Sequence, residues 1–184
     1  MVVIAACSDS SNDTPPATSG AGSASATATA SPTATIDPRA LPAVAAYTSF
    51  NDTASAAQMH PSDGEKFPPE ADFTKYSFDP IRTELKVEIH QLAAGGFEYR
   101  GTAPQTHARV MSIKLKATPW PRVTLTDCRT TPDWHIYKTS SGKQVPEPTV
   151  TVAPPYRSTI VVIYYKKRWG VYSFKADASE TCSP

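Results

Sequence analysis

No stretch of this 184-residue chain is apolar for the roughly 20 residues that a helix needs to cross a membrane. Charge of one sign is also missing. The 18 Lys and Arg nearly balance 17 Asp and Glu, a formal net charge of +1, so nothing in the balance points to nucleic acid or to a membrane-surface patch. There is no His-Glu-x-x-His, no glycine-rich phosphate loop and no Gly-x-Ser-x-Gly elbow. His60, His90, His107 and His135 are scattered without metal-ligand spacing, so no metal site and no cofactor is expected. Cysteine is scarce, with only Cys7, Cys128 and Cys182.

Proline, at 18 residues, is abundant, and small residues crowd the N-terminus, so part of the chain is not expected to be globular. Ile4-Ala5-Ala6-Cys7, followed at once by a polar run, resembles the bacterial lipobox, in which cleavage precedes a Cys that takes up lipid. Residues 1–7 then read as the remnant of a lipoprotein signal peptide, and Cys7 as an anchor on the outer face of the cell membrane. Only six residues precede Cys7, short of a basic region plus an apolar core of roughly 7–15 residues, which implies a late start or a truncated form. The alternative is a chance Cys after three apolar residues. Residues 8–36 are Ser, Thr, Ala, Gly and Pro with little else; they cannot bury enough surface to offset their ordering entropy and read as a disordered tether. Its root-mean-square reach is roughly 30 Å. Asn12-Asp13-Thr14 and Asn51-Asp52-Thr53 fit the N-glycosylation triplet but are discounted, because the lipobox points to a bacterium.

Residues 37–184 read as one folded domain. Asp37-Pro38 is a helix start, an N-cap followed by Pro at the first helical position. Leu41, Val44, Ala45 and Thr48 recur at helical spacing, with Tyr47, Phe50, Ala54 and Ala57 widening the stripe, which predicts a helix from Arg39 to about Gln58. A helical turn is expected over Ala71 to Ser77. The spacing of Ile81, Leu85, Ile89 and Leu92 predicts a second helix from Pro80 to Ala94, stopped by Gly95-Gly96. Glu84 and Glu88 read as its solvated outer face.

The period then changes to two. Phe97 to Thr102 and Ala108 to Ala117 read as strands, the second with Met111, Ile113 and Leu115 on a covered face and Ser112, Lys114 and Lys116 on a wet one. Val123 to Cys128 is a third, and Trp134 to Lys138 the start of a short hairpin around Ser141-Gly142. A Pro-rich connection from Val145 to Pro155 leads to the dominant stretch, Thr159 to Ala176, whose arms are apolar or aromatic on both faces. That predicts a central hairpin turning within Lys166, Lys167 and Arg168. Helices before a run of antiparallel strands define an α+β class, with the helices on one face of a curved sheet.

Ala43 to Phe50, Phe73 to Pro80, Gly96 to Thr102, Val123 to Cys128, Arg168-Trp169 and Cys182 together resemble secreted actinobacterial lipoproteins of the nuclear-transport-factor-two-like superfamily. The resemblance spans Asp37 to Cys182. It implies a cone-shaped α+β barrel with a pocket between helices and concave sheet, and relatives in that superfamily include isomerases and dehydratases that use pocket acids and histidines.

With Cys7 set aside as the odd cysteine, Cys128 and Cys182 read either as a disulfide, favoured by export, or as two buried thiols. Asp127 shares a strand face with Val123 and Leu125 and is the weak catalytic candidate, weighed against a place on the rim beside Cys128. Tyr47, Phe50, Phe73 and Tyr76 are candidates to line a pocket, weighed against ordinary core. Lys166-Lys167-Arg168 reads as a solvated tip or a contact for anionic headgroups or wall polymer. The expected function is an extracytoplasmic, lipid-anchored, non-enzymatic module that binds an envelope protein, polymer or small apolar ligand, with no nucleic-acid partner. The alternative is a pocket enzyme of isomerase or dehydratase type on a small apolar substrate.

Overall fold

The computed structural model describes residues 36–64, 66–130, 133–146 and 155–183, with side chains at 178–180 left aside. Cys7, residues 8–35 of the tether and most of the Pro-rich connection lie outside the described residues, which belong to one compact unit, Thr35–Pro184; Ile36, read as the end of the tether, packs against the core. The fold is α+β, with two antiparallel sheets among the described residues in place of the single expected one.

The Asp37 side chain caps a short 3-10 turn, Pro38–Ala40, by accepting from the Arg39 amide at 2.9 Å. The chain continues into helix α1, Leu41–Met59. Its buried face is Ala43, Ala46, Tyr47, Phe50, Ala54 and Ala57, whereas Leu41, Ala45 and Thr48 of the expected stripe are exposed. Burial of the two large rings sets the helix rotation, because an aromatic side chain removes far more area from water than Leu41 or Thr48 would. Asn51 is buried on this helix and donates Nδ2 to the Pro104 carbonyl at 2.8 Å, so its glycosylation triplet is closed off by the fold.

Two further 3-10 turns, Pro69–Ala71 and Phe73–Tyr76, precede helix α2, Ile81–Gly95. Pro80 lies just outside the helix, after a cis peptide bond to Asp79, so the helix starts one residue later than expected. Leu85, Ile89 and Leu92 are buried as their spacing requires, and Gly96 ends the helix at φ 67°, the left-handed conformation that glycine adopts without steric cost.

Strand β1, Phe97–Arg100, pairs with β4, His135–Lys138, which pairs with β5, Lys143–Gln144. The chain leaves β1 at Gly101, at φ 112°, where a Cβ would lie 1.9 Å from the Asp133 carbonyl oxygen, so only glycine fits this close approach. The larger sheet has the order β2, Arg109–Lys114; β3, Arg122–Cys128; β6, Tyr156–Tyr165; β7, Arg168–Thr181. A bulge between Val110 and Ser112 turns Val110 and Ile113 toward the core and leaves Met111 66% exposed, and Leu115 falls beyond the strand, also exposed. The expected covered row of Met111, Ile113 and Leu115 therefore does not exist; the extra residue reverses the alternation on one side of it.

β6 lies between β3 and β7, with Ile160 and Val162 fully buried and, on its other face, Ile163 nearly so. β7 is flanked at Val171 by Ser77 in a parallel bridge, and the Phe78 amide donates to the Val171 carbonyl at 2.8 Å. Lys166 and Lys167, at φ 50° and 63°, form the two-residue turn between Tyr165 and Arg168. The core joins α1, α2, Phe73 and the inward row Val123, Leu125, Ile160, Val162 and Val171.

Candidate functional site

Asp127 occupies the inward row of β3 and is only 1% exposed, so the rim position weighed for it is not what the fold builds. Its Oδ2 accepts from the Tyr47 hydroxyl at 2.5 Å and its Oδ1 from the His107 amide at 2.5 Å. The carboxylate thus ties α1 to β3 and to the segment entering β2. Burial, followed by the neighbouring Asp127 charge and its hydrogen bond, holds the Tyr47 phenol far above the usual tyrosine range, so Tyr47 stays a donor. Buried polar groups with every oxygen engaged tend to fix a fold, and Asp127 is of that kind.

A pocket of about 250 Å³ lies between α1, α2 and β7. Tyr47, Phe50 and Ala54 of α1, Ile81 and Leu85 of α2 and Phe174 of β7 form its apolar wall. Its polar groups are Asn51, Gln58, Glu84, Glu88 and Arg129, with Gln58 donating to Glu88 Oε1 at 2.7 Å. The Arg129 guanidinium lies 5.3 Å from the Phe174 ring centre, and its buried Nε has no hydrogen-bond partner. Among the described residues, no ion pair involves Arg129. The aromatic wall offers burial to an apolar ligand and Arg129 offers a donor to a negative group on it, set against the carboxylates of Glu84 and Glu88 that α2 brings to the same lining.

Of the four aromatic candidates, Tyr47 and Phe50 reach this pocket. Phe73 is fully buried against Phe67, with ring centres 4.8 Å apart, and Tyr76 packs on the core; both serve as core because their 3-10 turn seats against α1 and β7. Asp127 bonds to a wall residue without being one. Glu84 and Glu88, read as a solvated face, line the pocket: Glu84 is exposed and Glu88 half-buried. Sequence spacing does not point to Arg129 or Phe174, which also line the pocket; the one local mark is that Arg129 adjoins Cys128.

Cys128 and Cys182 are joined by a disulfide across a sequence separation of 54, with Cα atoms 5.9 Å apart. Such a bridge is compatible with an extracytoplasmic location. Among the described residues no helix is long and apolar enough to cross a membrane, and no cluster of His, Cys, Asp and Glu is suited to hold a metal.

The chain matches no protein-family model, and a comparison with curated proteins finds no match. Among solved structures it is similar to the crystal structure of the intermembrane space region of chloroplast protein ARC6, at a TM-score of 0.48 and 12% identity over 77% of this chain and 97% of that one, a likeness too slight to carry an argument.

Proposed function

We propose that this chain is a membrane-anchored extracytoplasmic lipoprotein, attached through Cys7, whose domain binds a small, mainly apolar ligand with an anionic end and does not transform it. The proposal includes membership of the nuclear-transport-factor-two-like superfamily and its cone-like α+β arrangement, on the motifs from Ala43 to Cys182. The observation that carries the binding reading is the pocket, walled by Tyr47, Phe50 and Phe174, with an Arg129 Nε that has no hydrogen-bond partner among the described residues. Burying apolar ligand surface stabilises a complex by roughly 25 cal/mol per Å² before association costs. Catalysis asks for groups that favour a transition state over the ground state. Asp127 has both oxygens engaged in holding the fold, which supports binding over turnover.

The test is calorimetric titration of the full chain with aliphatic and aromatic monocarboxylates, alongside Arg129→Gln. A charge-assisted hydrogen bond contributes about 1.5–3 kcal/mol, so the variant should bind roughly 10- to 100-fold more weakly. Equal binding by both proteins, or none by the parent, refutes the reading. Turnover of isomerase or dehydratase substrates that disappears in Glu88→Gln or Asp127→Asn replaces the binding module with an enzyme.

A further inference from the structure

Both hairpin turns of the larger sheet lie at one end of it, and that end is basic and aromatic. Residues 115–121 join β2 to β3, Lys166 and Lys167 join β6 to β7, and the Tyr164 amide donates to the Pro121 carbonyl at 2.9 Å, holding the turns together. Lys114, Lys116, Lys166 and Lys167 are exposed here. Lys114 and Arg122 sit directly opposite one another, a like-charge pairing that destabilises a sheet. Neither hairpin supplies a counter-charge, because no Asp or Glu occurs between Glu98 and Asp127 or between Glu147 and Asp177. Of the carboxylates on the segments packed beside this end, Asp72 pairs with Lys75 at 3.4 Å, while Asp79 accepts from Thr83 at 2.7 Å and keeps its charge, facing Arg82 and Lys86. Arg168 is also engaged, donating to the Thr74, Lys75 and Ser77 carbonyls over the Phe78 ring.

Aromatic rings surround these cations, and the Lys166 ammonium lies 5.5 Å from the Tyr165 ring centre. Tyr164 and Tyr165 are 41% and 39% exposed, and so is Leu115 at 39%. Trp120 lies 5.6 Å from the Tyr165 ring and 5.8 Å from Tyr172, while Tyr164 lies 5.5 Å from Trp169. Trp and Tyr settle at the headgroup level of a bilayer, and each Lys near an anionic leaflet adds attraction. A soluble polyanion would match the charges and leave the open rings and Leu115 without a partner. We infer that this end of the sheet is a membrane-contact surface that docks on bilayers containing anionic phospholipid. The inference stands apart from the pocket and from acylation of Cys7.

The turn supplies its own control. Lys166 and Lys167 both hold positive φ, where Asn and Gly are the favoured pair, so Lys166→Asn with Lys167→Gly removes two charges while suiting the turn better. The full chain carrying Cys7→Ser, which excludes acylation, is sedimented with phosphatidylcholine vesicles with and without phosphatidylglycerol. Binding is expected only where phosphatidylglycerol is present, weakening with added salt and shifting tryptophan emission to the blue. The turn variant should lose about 30-fold in partitioning, from roughly five-fold per Lys. Trp120→Ala should diminish the emission shift. The inference is overturned by absence of binding to anionic vesicles, by equal partitioning of the turn variant, or by binding to polyphosphate without binding to vesicles.

Discussion

Tyr47→Phe removes one oxygen from the interior and tests what holds α1 on the sheet. Among the described residues the lost hydroxyl is the only hydrogen-bond donor to Asp127 Oδ2, while the His107 amide continues to serve Oδ1. Asp127 is 1% exposed and Tyr47 fully buried, so water does not reach the vacated site without opening the core. Hydrogen bonds to charged groups contribute about 1.5–3 kcal/mol, and an unsatisfied buried acceptor falls in the same range. The ring itself stays, so no cavity beyond one oxygen adds to the cost. We expect Tyr47→Phe to lose about 2 kcal/mol, which lowers the Tm by roughly 4–8 °C for a domain of about 150 residues. Urea unfolding under oxidising conditions gives the free energy, and a cycle with Asp127→Asn isolates the pair. A coupling of at least about 1 kcal/mol is expected. A Tyr47→Phe protein within about 0.5 kcal/mol of the parent, or additive variants, would refute the account of Asp127 as a clamp.

Cys182→Ser opens a loop spanning a separation of 54, and the chain-entropy relation gives a loss of about 4 kcal/mol, readable as a lower Tm that reduction of the parent reproduces. Non-reducing peptide mapping that recovers Cys128 and Cys182 as free thiols would sink that expectation. For the proposed anchor, Cys7→Ala in the full precursor should move it from the membrane fraction to the supernatant; unchanged fractionation would mean that Cys7 is no attachment site.

How far the sequence could be read depended on whether a feature was local. The α2 stripe was legible because Leu85, Ile89 and Leu92 obey one period and Gly96 ends it. In α1, apolar and small residues surround the helix, so the sequence offered competing faces, and only the bulk of Tyr47 and Phe50 decided between them. The β2 bulge is not legible, since Met111, Ile113 and Leu115 alternate with Ser112, Lys114 and Lys116 as an unbroken strand would. Pairing of β1 with β4 spans more than thirty intervening residues on the scale at which loop closure, not local pattern, selects partners. The same holds for the pocket. Tyr47 and Phe50 could be named from helical spacing, whereas Arg129, Phe174, Glu84 and Glu88 meet them only through the tertiary arrangement.

The margins of the larger sheet have a consequence for life at high local density. A strand with open amides and carbonyls invites another chain to add itself, the first step toward aggregation. β7 is covered at Val171 by the Ser77–Phe78 segment, and β2 is broken by the bulge at Met111 and carries Lys114 at its end. Lateral strand addition is blunted on both sides. Edge-to-edge strand addition between copies is thereby disfavoured at high concentration.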